Sequence, residues 1–124
     1  MTAITEKLAA LRARVTQASL HAGRDPAGIS IVAVSKTHPP AAIRAAQAAG
    51  LADFGENYVQ EAVAKITQLP TGPRWHFIGT MQANKTRDVA AHFDWVQTVA
   101  GSQVAQRLDR KSTRLNSSHL GISY

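Results

Sequence analysis

Apolar positions recur at two different periods along the chain, and the alternation between those periods lays out its elements. Ile4, Leu8, Leu11, Val15, Ala18 and Ala22 fall three or four apart, which predicts an amphipathic helix over about residues 5–22. Thr2 or Thr5 can cap its start, and Gly23 can take the left-handed conformation that ends it. Residues 24–28 read as a turn. Ile29 to Val34 is a nearly unbroken apolar run rich in β-branched residues, the pattern of a strand covered on both faces in a parallel sheet. Pro39 and Pro40 stop that strand and can open the next helix, because a proline in the first turn gives up only an N–H that had no partner. That helix, residues 40–49, is alanine-rich with Ile43 on its inner face, and Gly50 closes it.

The same order then repeats. Residues 51–57 read as a second strand, and residues 58–68 as a helix whose inner stripe is Val59, Ala62, Val63 and Ile66. After a loop at residues 69–73 come a third strand at 74–79, a helix to about His92, a fourth strand at 93–99 and the start of another helix at 101–108. Strand and helix in alternation predict an α/β fold with a parallel sheet and right-handed connections. At 124 residues the chain supports one domain with a core, but a complete eight-fold barrel needs roughly 200 or more residues.

Composition narrows the chemistry. The chain has no cysteine, which removes disulfides, thiolate metal sites and a cysteine nucleophile. The N-terminal residues lack a basic segment followed by an apolar core, and no stretch approaches the roughly 18 apolar residues of a membrane span. A soluble, cytoplasmic protein without a membrane partner is the expectation. The formal charge of +6 raises nucleic acid as a partner. However, Arg12, Arg14, Arg24, Arg44, Arg74, Lys85 and Arg87 are dispersed among seven acids, as on an ordinary solvated surface, so no nucleic-acid partner is expected.

Residues 109–124 break the pattern: they are polar and carry neither period, as a disordered C-terminus would. Residues 109–119 also resemble one reading frame of a widely used sequencing-library adapter, codon by codon. On that reading Leu120 and Gly121 cover an index, and Ile122 to Tyr124 continue the adapter. Residues 1–108 are then the protein's own, and 109–124 a non-native tail set aside from fold reasoning. The tail holds three basic residues and one acid, so without it the formal charge falls from +6 to +4.

The residue of most chemical interest is Lys36, at the end of the first strand and just before a proline-opened helix. In α/β folds the carboxyl ends of strands hold ligands. A lysine half desolvated by the apolar strand behind it has its charged form disfavoured, and a neutral amine can attack an aldehyde to form a Schiff base. From spacing alone, the competing reading is a lysine that lays its stem on apolar surface and keeps its ammonium in water.

Four motifs sharpen this. Ala33-Val34-Ser35-Lys36-Thr37, Phe54-Gly55-Glu56-Asn57-Tyr58-Val59-Gln60-Glu61, Trp75-His76-Phe77-Ile78-Gly79 followed by Gln82, Asn84 and Lys85, and Phe93-Asp94-Trp95 together resemble the pyridoxal phosphate homeostasis protein family, also called YggS or PROSC. The resemblance covers nearly all of residues 1–108 and implies a partial TIM-type (β/α) barrel similar to the alanine racemase N-terminal domain, about four of eight strand-helix units. It implies that Lys36 holds pyridoxal 5′-phosphate (PLP) as a Schiff base. It also puts Asn57 and His76 beside the cofactor, where an amide or imidazole could pack on the ring or bond its phenolic oxygen. His76 answers equally to a satisfied core histidine, and Glu56 either to a partner behind the site or to a pair with a surface base. Tyr58, Gln60, Glu61, Gln82, Asn84 and Lys85 form a polar rim of caps and solvated helix positions. Trp75 and Trp95 read as packing residues. The family's phosphate and pyridine-nitrogen anchors belong to a second half that is not in these residues, which leaves the fourth strand as an unpaired edge and the fragment inactive.

Two functions follow from the resemblance. One is a PLP carrier of vitamin B6 homeostasis without catalytic turnover, whose partners are PLP and PLP-dependent apoenzymes. The other is a PLP-dependent amino-acid racemase or decarboxylase on the same barrel, which needs a second acid or base across the cofactor that residues 1–108 do not obviously offer. The reading of the tail has a direct check. The parent DNA read should carry adapter bases from codon 109 onward; unrelated genomic codons followed by a natural stop after Tyr124 would refute it.

Overall fold

The computed structural model describes residues 3–69, 71–97, 104, 106–108 and 121–122. Its elements run α1 (Ala3–His21), β1 (Val32–Val34), α2 (Pro40–Ala48), β2 (Asp53–Glu56), α3 (Val59–Gln68), β3 (Arg74–Phe77), α4 (Thr86–His92), β4 (Trp95–Val96) and β5 (Gly121–Ile122). The five strands form one sheet in the order β1-β2-β3-β4-β5, and every neighbouring pair is parallel. Sequential parallel strands joined through helices are the winding of a barrel wall. Residues 104 and 106–108 are helical, in line with the expected helix; the rest of 101–108 lies outside the described residues.

Register sorts the side chains by face. Ala33, Phe54 and Trp75 align across β1, β2 and β3, and Phe77 aligns with Val96. These residues point toward the helices and join Ile43 and Ala46 of α2, Val59 and Ala62 of α3, Val89 and Ala90 of α4, and Leu108 in one apolar core. Each large side chain buried there contributes about 1.5–3 kcal/mol. The opposite face carries Val34, Gly55, His76 and Trp95 in one row. The two ends of this row are open, Val34 53% exposed and Trp95 41%, while Gly55 and His76 between them are buried.

Several expectations change. β1 is three residues long and its Val34 is exposed, so the strand is not covered on both faces. Among the described strands it pairs only with β2. In α1 only Leu8 and Ser19 are buried, while Leu11 and Leu20 are exposed. This helix precedes the sheet and crosses the end of α2, where the Arg12 guanidinium donates to the Gly50 carbonyl at 3.0 Å, so most of its apolar stripe finds no core. β4 is not an open edge, because Gly121 and Ile122 pair with Trp95 and Val96. Those two residues belong to the segment set aside as tail; 109–120 and 123–124, including the disorder expected there, lie outside the described residues.

Two polar devices lock the strands. The Asp94 carboxylate accepts from the Trp75 N–H at 2.7 Å, and the Asp94 N–H donates to the Trp75 carbonyl at 2.8 Å, which gives the Phe93-Asp94-Trp95 motif its structural meaning. On the open face, Arg74 forks onto Asp53 with two bonds of 2.8 Å. That guanidinium, helped by His76 and against the cost of burial, holds the Asp53 carboxyl at about 2.

Two outcomes follow from this architecture. The exposed Val34 and Trp95 side chains and the side of β1 that pairs with no described strand should make the isolated chain self-associate, visible as oligomers in size-exclusion chromatography. A soluble monomer with a cooperative melt would contradict this. At dilutions that keep the chain monomeric, Asp53 also sets an acid limb. Its folded pKa lies below its unfolded value, so its stabilisation is complete above about pH 4 and is lost as pH falls toward about 2. With the Arg74 side chain 59% exposed, that contribution is discounted to about 1–2 kcal/mol. Asp53→Asn should remove it and flatten acid unfolding followed by tryptophan fluorescence.

Candidate functional site

Lys36 occupies a turn at the carboxyl end of β1 that is held from three sides. The His38 N–H donates to the Ser35 carbonyl at 3.0 Å, closing the turn over Lys36 and Thr37. Thr37 sits at φ +66°, the sign that the third position of a type II turn requires and that glycine usually supplies. For a β-branched residue this backbone costs on the order of 1–3 kcal/mol, so neighbours must enforce it. The Glu61 carboxylate, on the first turn of α3, accepts from the Thr37 N–H at 2.6 Å. Below the turn, the Ser35 N–H donates to the Gly55 carbonyl at 2.9 Å, and the Ser35 hydroxyl is bonded to the Glu56 carboxylate.

Glu56 and Lys65 form the floor of this arrangement. Glu56 is 0% exposed and Lys65 5%. The Lys65 ammonium donates to the Ser35 carbonyl at 2.7 Å and to both Glu56 oxygens at 3.1 Å, and it pairs with Glu61 at 2.8 Å. The hydrogen bond from Lys65, reinforced by the Thr37 N–H, holds the Glu61 carboxyl below its usual range. Of the two readings left open for Glu56, the structure shows a partner behind the Lys36 turn, and its base is buried instead of being on the surface. Lys65 was missed from sequence. Its signal was position: it falls three residues after Ala62 and one before Ile66, on the apolar stripe of α3, and four after Glu61.

Lys36 itself is exposed, so β1 does not supply the desolvation expected of it. Among the described residues its amine makes neither a hydrogen bond nor an ion pair. Asn57, in the bend one residue beyond β2, is half buried. Its side-chain amide has no hydrogen bond among the described residues. Gly79 lets the loop after β3 pass against it: a Cβ there would lie 2.6 Å from the Asn57 carbonyl oxygen. Lys36 and Asn57 thus each lie just past the carboxyl end of one of two neighbouring parallel strands, β1 and β2.

His76 lies one row deeper on the same face and is 7% exposed. Its Nε2 is 2.9 Å from Asp53, the Gln97 amide nitrogen donates to its Nδ1 at 2.8 Å, and its ring stacks on Trp95 with centroids 6.2 Å apart. Both ring nitrogens are therefore engaged, and neither is left for a cofactor oxygen. Asp53, Arg74 and Gln97, which complete this chain, were not singled out from sequence; only register across β2, β3 and β4 brings them together. The polar rim divides. Tyr58, Gln60, Gln82 and Lys85 line a cavity of about 250 Å³ together with Asn57, Val59, Phe77 and Met81, whereas Glu61 turns to Thr37 and Lys65. No helix among the described residues is long and apolar enough to cross a membrane.

Comparison with known proteins agrees with this fold. The family model described as alanine racemase, N-terminal domain, matches residues 7–122. The pyridoxal phosphate homeostasis protein of Pseudomonas aeruginosa is 53% identical over 90% of this chain and 49% of its own length. That of Escherichia coli K12 is 47% identical over 88% of this chain and 48% of its own length. PipY of Synechococcus elongatus, solved with PLP bound, is 43% identical and superposes with a TM-score of 0.77 over 91% of this chain and 50% of that one. The chain thus spans about half the length of the relatives it matches. It belongs to the alanine racemase N-terminal domain family, and its similar relatives there are pyridoxal phosphate homeostasis proteins.

Proposed function

We propose that the full-length protein carrying this chain binds PLP in vitamin B6 homeostasis, with the cofactor held on Lys36 as a Schiff base. The observation that carries this reading is the Lys36 amine: exposed, without a partner among the described residues, and set on a pinned turn at the carboxyl edge of the sheet. PLP supplies an aldehyde, with which a primary amine condenses to an imine and water. Asn57, just past the carboxyl end of the neighbouring strand, orients it, and the His76 ring, fixed by Asp53 and Gln97, forms the floor beneath. The likeness to PipY, solved with PLP, supports the choice of cofactor.

The protein acts as a carrier that buffers PLP in the cytoplasm and passes it to PLP-dependent apoenzymes. Membership of the alanine racemase domain family keeps a second reading in view, a racemase or decarboxylase.

One experiment separates them. The full-length protein incubated with PLP should show the visible absorbance of a lysine Schiff base, and Lys36→Ala should lose it entirely. Retention of the band in that variant would overturn the role of Lys36, and turnover of amino acids at enzyme-like rates would replace the carrier with the enzyme.

A further inference from the structure

The geometry points to Lys65 as a positioning residue for Lys36: its buried ammonium clamps the turn that presents the reactive amine. The inference rests on the reading of Lys36 as the cofactor-bearing residue. Lys65 lies on the helix side of the sheet, facing away from Lys36, and touches none of the candidate ligand groups. What it holds is backbone. It donates to the Ser35 carbonyl at 2.7 Å, one residue before Lys36. Through Glu61, 2.8 Å away, it orients the carboxylate that accepts from the Thr37 N–H at 2.6 Å, one residue after Lys36. Both peptides flanking Lys36 are thus fastened to one cation.

The charges explain why one cation suffices. Glu56 is fully buried and Glu61 is one-third exposed, and both carboxylates converge on the same ammonium. Without that charge they face each other at close range with Glu56 cut off from water, and Glu61 is driven outward to solvent. Thr37 would then lose the acceptor that stabilises its left-handed backbone, since nothing else among the described residues bonds its N–H. The turn would relax, and Lys36 would sample orientations off the open face. Glu56 is the anchor, bonded also to the Ser35 hydroxyl, and Glu61 is the movable arm.

The test uses the full-length protein with PLP as the probe, and three variants: Lys65→Met, Lys65→Arg and Glu61→Gln. Two readouts are taken, the rate at which the Schiff-base absorbance grows when PLP is added to cofactor-free protein, and amide hydrogen exchange at Thr37. Lys65→Met should slow absorbance growth about tenfold and lower Thr37 protection by a similar factor, while Phe54 and Glu56 in β2 keep theirs. Lys65→Arg should recover part of both. Should Lys65→Met fail to fold, Glu61→Gln decides, because it leaves the buried Lys65–Glu56 pair in place and weakens only the arm to Thr37. Unchanged Thr37 exchange, or an unchanged rate despite faster exchange, in the folded variant overturns the inference. Lys36→Ala serves as the separate control: if the absorbance survives in it, the reading of Lys36 fails, whereas the dependence of Thr37 exchange on Lys65 stands or falls independently.

Discussion

The period of two along parallel strands is the constraint on which this structure depends. Every strand must offer alternate residues to the helices and to the opposite face. Because the strands run in sequential order with matched register, those choices add up across the sheet. Phe54, Trp75, Phe77 and Val96 become one core surface under the helices. The other parity collects Val34, Gly55, His76 and Trp95. A one-residue slip of β2 would exchange Phe54 for Gly55 in the core and turn Asp53 away from Arg74 and His76, so core and site are registered by the same hydrogen-bond ladder.

Buried charge does different work on the two faces. On the helix side, Lys65, Glu56 and Glu61 form a cluster whose desolvation is costly, and buried ion pairs of this kind often contribute no more stability than well-packed apolar side chains of similar volume. What an apolar replacement could not do is hold Ser35 and Thr37 by hydrogen bonds and keep a threonine in a left-handed conformation. The cluster is better understood as a device for geometry than for stability. On the open face, Arg74, Asp53, His76 and Gln97 form a chain in which each polar group satisfies the next. It fixes the His76 ring without leaving a ring nitrogen to spare.

Much of this was legible in the primary structure, because local patterns have local causes. The apolar stripes of α2 and α3, the β-branched run before Lys36 and the prolines after it all act within a few residues, and the elements form close to where they indicate. The four motifs placed Lys36 and Asn57 at strand ends, and the structure brings their positions to one edge. Reading failed where an outcome depended on partners distant in sequence. The stripe of α1 promised burial that only its N-terminal end receives, since periodicity states which face is apolar and not whether a surface exists to cover it. The strand of Lys36 promised cover on both faces, yet Val34 stands open.

The amino-acid order by itself determined the succession of strands and helices, the parallel α/β class, and the identity of the lysine that ends β1. Those properties follow from periodicity, from proline and glycine stereochemistry, and from motifs contained in single segments. Only the tertiary structure decided that Lys65 is buried beneath that lysine, that Glu61 reaches across to Thr37, and that both nitrogens of His76 are engaged. The physical reason is that a charge's meaning depends on what surrounds it. The side chains that surround Lys65 and His76 arrive from strands and helices many residues away, through a register that no single segment contains.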